Sequence, residues 1–126
     1  MSSGQLIIRP ICARLIHDPD WFHKANPYCK ISVGNKSYQT GVAKNEGMTP
    51  IWQETFTHEL NGESSIQVHV FDHHHISHDK PIADGVVQLD EVFQKGSTDA
   101  WYPLIHKEKP DGQINLRIKF VPSIPK

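Results

Sequence analysis

No stretch of this sequence carries the roughly 20 consecutive apolar residues that a bilayer-spanning helix needs, so membrane contact is expected to be peripheral. Cysteine is scarce. Cys12 and Cys29 are too few for a disulfide framework and lack the spacing of a paired-cysteine metal site. Both fall in strand-like stretches, where free cysteine is a small buried hydrophobe, which favours a reducing, cytoplasmic setting. The opening MSSGQLIIRP lacks the basic start and long apolar run of a secretory signal. An excess of charge is missing too. Thirteen basic against fourteen acidic residues leave a formal charge of -1, without the broad positive field that nucleic-acid binding requires. No GxSxG elbow, P-loop or HExxH occurs, so neither an enzyme nor a small-molecule substrate is expected. Long amphipathic helices are also absent.

What is present alternates. Ile66, Val68 and Val70 are interleaved with Gln67 and His69; Ile114, Leu116, Ile118 and Phe120 with Asn115, Arg117 and Lys119; Cys29, Ile31 and Val33 with Lys30 and Ser32. A period of two makes each run a strand with one buried and one wet face. Turn chemistry at Gly34-Asn35, Asn61-Gly62 and Asp111-Gly112 separates such runs. Eight strands are predicted, at about 4–16, 27–33, 36–42, 51–58, 65–71, 84–89, 100–105 and 113–120, with a short helical turn near Asp90 to Gln94. The expected fold is all-β, an eight-stranded antiparallel sandwich. Hydrophobic content of 37% and charged content of 21% are ordinary for a packed chain. With no repeat or linker, residues 1–126 read as one domain with its core over about 4–122.

One segment stands apart. FDHHHISHDKP, residues 71–81, holds four of the nine histidines. It is too internal for a tag. His23, His73, His74, His75, His78 and Asp72 could offer zinc or copper ligands, but neighbouring histidines on extended backbone point to opposite sides. No helical HxxxH or Cys-His spacing supports zinc, and a solvated histidine loop is the simpler expectation. Below about pH 6 these histidines would turn their end of the molecule positive.

GQLIIRPICARLI, NPYCKISVG, MTPIWQETFTHEL, IQVHVFDHH and PIADGVVQL, taken in that order, resemble C2 domains, the conserved-region-two module of protein kinase C. GQLIIRPICARLI looks like that family's first strand, with Leu6, Ile8, Ala13 and Ile16 as its apolar stripe. NPYCKISVG resembles the Asp-Pro-Tyr-Val-Lys strand, with Asn26 in place of the aspartate. MTPIWQETFTHEL is similar to the Thr-Pro-x-Trp-x-Glu-x-Phe signature, through Thr49, Pro50, Trp52, Glu54 and Phe56, of which Trp52 and Phe56 are expected in the core. IQVHVFDHH and PIADGVVQL resemble the strands flanking the third calcium loop. The resemblance implies a Greek-key sandwich and brings the loops 17–26, 43–50 and 72–83 to one end.

In calcium-binding members, five aspartates on the first and third loops cage the ions. The matching positions here are Asp20, Asn26, Asp72, His74 and Lys80. Calcium wants six to eight oxygens, and imidazole or ammonium supplies none. Tight calcium binding is therefore not expected, although Asp18 or Asp79 could complete a weak site. No other cofactor is implied.

Trp21 and Phe22 fall at a loop tip, where aromatics insert into lipid interfaces or anchor partners. With Lys24, His73, His75, His78 and Lys80 they form the expected contact set. The family's lysine-rich strand face for phosphoinositide headgroups would be supplied here by Lys30, Lys36, Tyr38 and Lys44. The implied function is non-enzymatic: peripheral binding to an anionic phospholipid surface, or a calcium-independent protein-interaction scaffold. Peripheral membrane or cytoskeletal association within the cytoplasm is the expected location.

Overall fold

The computed structural model describes residues 3–16, 24–74 and 77–124. Wherever apolar and polar residues alternate, a strand forms. In chain order these are β1 Gly4–Leu15, β2 Pro27–Val33, β3 Lys36–Gln39, β4 Phe56–Glu59, β5 Ser65–Asp72, β6 Lys80–Gln88, β7 Ser97–His106 and β8 Lys109–Pro122. The predicted helical turn is α1, Asp90–Lys95, closed by Gly96 at φ 87. The strands pair antiparallel in the order β3-β2-β5-β6-β7-β8-β1-β4. β6 meets β7 through one residue pair, Asp84 with Ile105. That seam divides the sheet into two four-stranded halves whose apolar faces share one core. Leu6, Ile8, Ile31, Ile66, Val70, Leu116 and Ile118 are buried there, each worth about 1.5–3 kcal/mol of hydrophobic transfer.

Four local expectations fail, each for a physical reason. Ile16 is not part of the stripe: it is 70% exposed, and Leu15 is buried instead. A register shift between Pro10 and Cys12 changes the phase, so that Ala13 and Leu15 point inward. The run 51–58 is a strand only from Phe56. Ile51 makes an isolated bridge to Cys12, and the Trp52 indole turns inward to donate to the Pro27 carbonyl at 3.2 Å. Here Glu54 accepts from the backbone N–H groups of Gly41 and Gln53, replacing ladder bonds with side-chain ones. β6 begins at Lys80 rather than 84, which leaves 73–79 as the third loop.

Asp111-Gly112 is not a turn. The two-residue turn is Lys107-Glu108, both at positive φ (50 and 68), between the paired His106 and Lys109. Gly112 lies within β8 at φ 102, opposite Leu15, where a Cβ would meet the Arg14 carbonyl oxygen at 2.0 Å. Close backbone approach, and not chain reversal, requires this glycine.

Candidate functional site

Asn26 gathers three loops at the end of the sandwich beyond β1 and β5. Its N–H donates to Asp72 Oδ1 at 2.8 Å, and its carbonyl accepts from the His73 N–H at 3.0 Å. Its side-chain oxygen accepts from the Asn45 N–H at 2.8 Å. The loop ends after β1, β3 and β5 are thereby joined through one residue.

Asp72 closes β5 and is fully buried. A buried carboxylate needs partners, and both of its oxygens have one. Oδ1 takes the Asn26 N–H, and Oδ2 lies 3.1 Å from His74 Nε2. Asp79 is similarly engaged. Its Oδ2 accepts the Tyr28 hydroxyl at 2.5 Å, and its Oδ1 accepts the His74 N–H at 3.0 Å, with His73 Nδ1 at 3.3 Å. The Tyr28 hydroxyl holds the Asp79 carboxyl below the usual carboxylate range, against the opposing effect of burial; the His74 N–H and His73 add to the lowering. Burial first, and then Asp79, push the Tyr28 phenol up to about 12. The Tyr28 ring stacks on Phe71 at 5.5 Å and meets His73 edge-on at 6.4 Å.

At His73 and His74 these contacts depart from the solvated-loop expectation, while His78 is exposed. His73 and His74 do diverge, as extended neighbours should, but each turns back onto a carboxylate of the same end. The histidine rings thus contact one oxygen of each carboxylate.

The residues described here do not fit a calcium cage. The oxygens of Asp72, Asp79 and Asn26 already accept protein hydrogen bonds, and His74 offers no oxygen. Lys80 stands opposite Asp72 in register with an exposed side chain, adding a repulsive charge. No group of three metal-ligating side chains occurs among the described residues, which applies equally to zinc. Asp18, Asp20, Trp21, Phe22, His23 and His75 lie outside the described residues. Lys24 and His78 are exposed at this same end.

Sequence reasoning missed the aliphatic residues here. Ile16 is 70% exposed where β1 ends, and Val42 is 39% exposed after β3. Val42, Lys44, Asn26 and His73 line a hollow of about 260 Å³. The available signal was an aliphatic residue inside a turn-rich loop, GVAKNEG.

The four residues of the expected headgroup face do not share one. Lys30 pairs with Gln39 on the outer side of β2. Tyr38 pairs with Ile31 on the core side, its hydroxyl 2.8 Å from His58 Nδ1, and Lys36 pairs with Val33 on that side as well. Adjacent register positions face opposite ways, which separates Lys30 from Lys36 and Tyr38. Lys44 lies in the β3–β4 loop, beside the hollow.

The geometry matches known proteins. The C2 domain family model matches residues 4–104, so the chain belongs to the C2 domain family. The 16 kDa phloem protein 2 of Arabidopsis thaliana is 26% identical over 125 residues, covering 98% of this chain and 85% of that protein. A solved C2 domain-containing protein superposes with a TM-score of 0.86 at 26% identity, covering 99% of this chain and 93% of that one. The calcium-bound tandem C2 domains of extended synaptotagmin 2 give a TM-score of 0.80 at 26% identity, covering 97% of this chain and 47% of that one. As a C2 domain, the chain is a lipid- or protein-binding module. Among the described residues, no helix is long and apolar enough to cross a membrane.

Proposed function

We propose that this C2 domain attaches peripherally to anionic phospholipid membranes through its loop end, with weak or no calcium dependence, and that it is not an enzyme. The observation that carries this reading is the engagement of Asp72 and Asp79 by Asn26, His74 and Tyr28. A C2 loop end normally needs bound cations to offset its carboxylates before it approaches a negative surface. Here protein donors satisfy those carboxylates by hydrogen bonding, and exposed lysines supply the positive charge. Lys24, Lys44 and Lys80 are exposed around Ile16 and Val42, pairing cationic with aliphatic contact. Each lysine near an anionic surface contributes about 1 kcal/mol, and the aliphatics add interfacial burial. Trp21 and Phe22 extend the same contact set.

A second reading, a calcium-independent protein scaffold, is favoured by the division of Lys30 from Lys36 and Tyr38 between two faces. The test is co-sedimentation with phosphatidylserine and phosphoinositide vesicles, in calcium and in chelator, at neutral and at mildly acidic pH. Equal pelleting in calcium and chelator, lost when Lys24, Lys44 and Lys80 become Gln, is the expected result. Pelleting that appears only with calcium would sink the proposal, and no pelleting in any arm would leave the scaffold reading.

A further inference from the structure

We infer a second binding site on the opposite half of the sandwich, a cationic groove across β1, β8 and the start of β7, edged by Thr55, that takes an acidic segment of a partner protein. Its volume is about 310 Å³, at the lower end of the range for pockets that receive small ligands or a few side chains. Arg9 and Arg117 face each other as a cross-strand pair, and Lys119 is in the next outward row, opposite Ile7. Like charges placed directly opposite destabilise a sheet. One carboxylate relieves them: Asp99 Oδ2 lies 3.2 Å from Arg117 Nε, while Asp99 Oδ1 accepts from Asn115. Among the described residues, Arg9 and Lys119 have no ion-pair partner. The groove therefore keeps a local cationic excess in a chain whose formal charge is -1.

The chemistry of the lining selects the occupant. Paired guanidiniums match planar carboxylates in a fork geometry, which makes an acidic side chain the natural ligand. Ile7 and the aliphatic stems of Arg9 and Lys119 give the groove an apolar component that a bare anion would not use. Position excludes the membrane as the source of charge. Arg9 is six residues before Leu15, about 20 Å along β1 from the loop end. A domain docked by that end holds the groove in water, beyond the reach of headgroups and open to a soluble segment. Excluding the membrane rests on the loop-end docking proposed above; the groove and its charge pairing do not, and the vesicle arm of the test separates the two.

The probe is a fluorescein-labelled octapeptide of glutamate and valine, titrated into the full chain and followed by polarisation and by backbone amide NMR. Inositol hexakisphosphate and phosphatidylserine vesicles are the comparison arms. Amide shifts are expected on β1, β8 and the start of β7, with the loop end unmoved. Arg9→Gln with Lys119→Gln should weaken peptide binding by about tenfold or more, since both charges contact the ligand directly. Asp99→Asn should tighten it severalfold by removing the competing carboxylate, and this opposite-signed variant decides the matter if the double variant does not fold. Vesicle pelleting should be unchanged in both variants. Shifts confined to the loop end, affinity indifferent to these substitutions, or inositol hexakisphosphate binding the groove in preference to the peptide would each overturn the inference.

Discussion

Replacing Tyr28 with Phe isolates one interaction of the hydrogen-bonded loop end. The change deletes the hydroxyl that donates to Asp79 Oδ2 at 2.5 Å and keeps a ring to stack on Phe71 at 5.5 Å. A hydrogen bond to a charged group contributes about 1.5–3 kcal/mol. Two features reduce that figure here. The Asp79 side chain is 29% exposed, so water replaces part of the lost bond, and the His74 N–H and the His73 ring remain. The expected loss is about 1–2 kcal/mol at neutral pH, or about 3–8 °C in the unfolding midpoint. The pH dependence gives the stronger test. Asp79 is held below its unfolded value, so its contribution is complete above about pH 4 and is lost as pH falls through the folded value. Tyr28 is raised from 10.0 to about 12, so its contribution is complete below pH 10 and is lost between those two values. Urea unfolding of both proteins should therefore show a constant difference across the neutral range that shrinks in acid and in strong base. A difference as large in acid as at neutrality, or none at neutrality, refutes the charge-assisted contact.

Gly112→Ala should cost at least about 2 kcal/mol in urea unfolding, because φ is 102 and the new Cβ would meet the Arg14 carbonyl at 2.0 Å. Lys107→Asn with Glu108→Gly should stabilise by about 1 kcal/mol, raising the thermal midpoint, since both residues now carry positive φ in a two-residue hairpin turn. Calcium at about 1 mM should move the thermal midpoint by less than about 1 °C, because a ligand stabilises only as far as its concentration exceeds its dissociation constant. A rise of several degrees would show that the loop oxygens are available after all. Ile16→Ser with Val42→Ser should reduce vesicle pelleting severalfold without lowering the midpoint, both side chains being exposed.

Much of the fold was legible because period-two alternation is local. β2, β5 and β8 lie where Ile31, Val68 and Leu116 alternate with polar neighbours, and the helical turn at Asp90 was visible from the same reading. Trp52 is buried as its motif implied, and Phe56 packs against the core. The site was less legible. Asp72, Asn26 and His74 were singled out as positions of the loop end, but their hydrogen bonds depend on three loops meeting, which no spacing records. The expected lysine face failed because a strand's two sides differ by a single register step, and β3 takes its register from β2.

The alternating apolar residues by themselves determined an antiparallel β-sandwich, because burying one face of each strand is a local demand written at every second position. The order of side chains along the chain also determined that the loop end is short of carboxylates. Only the tertiary structure decided that Asp72 and Asp79 would be occupied by protein donors, and that Arg9 would face Arg117 across two strands more than a hundred residues apart. Hydrogen bonds and charge pairs of that kind depend on distance in space, which strand pairing sets and linear spacing does not.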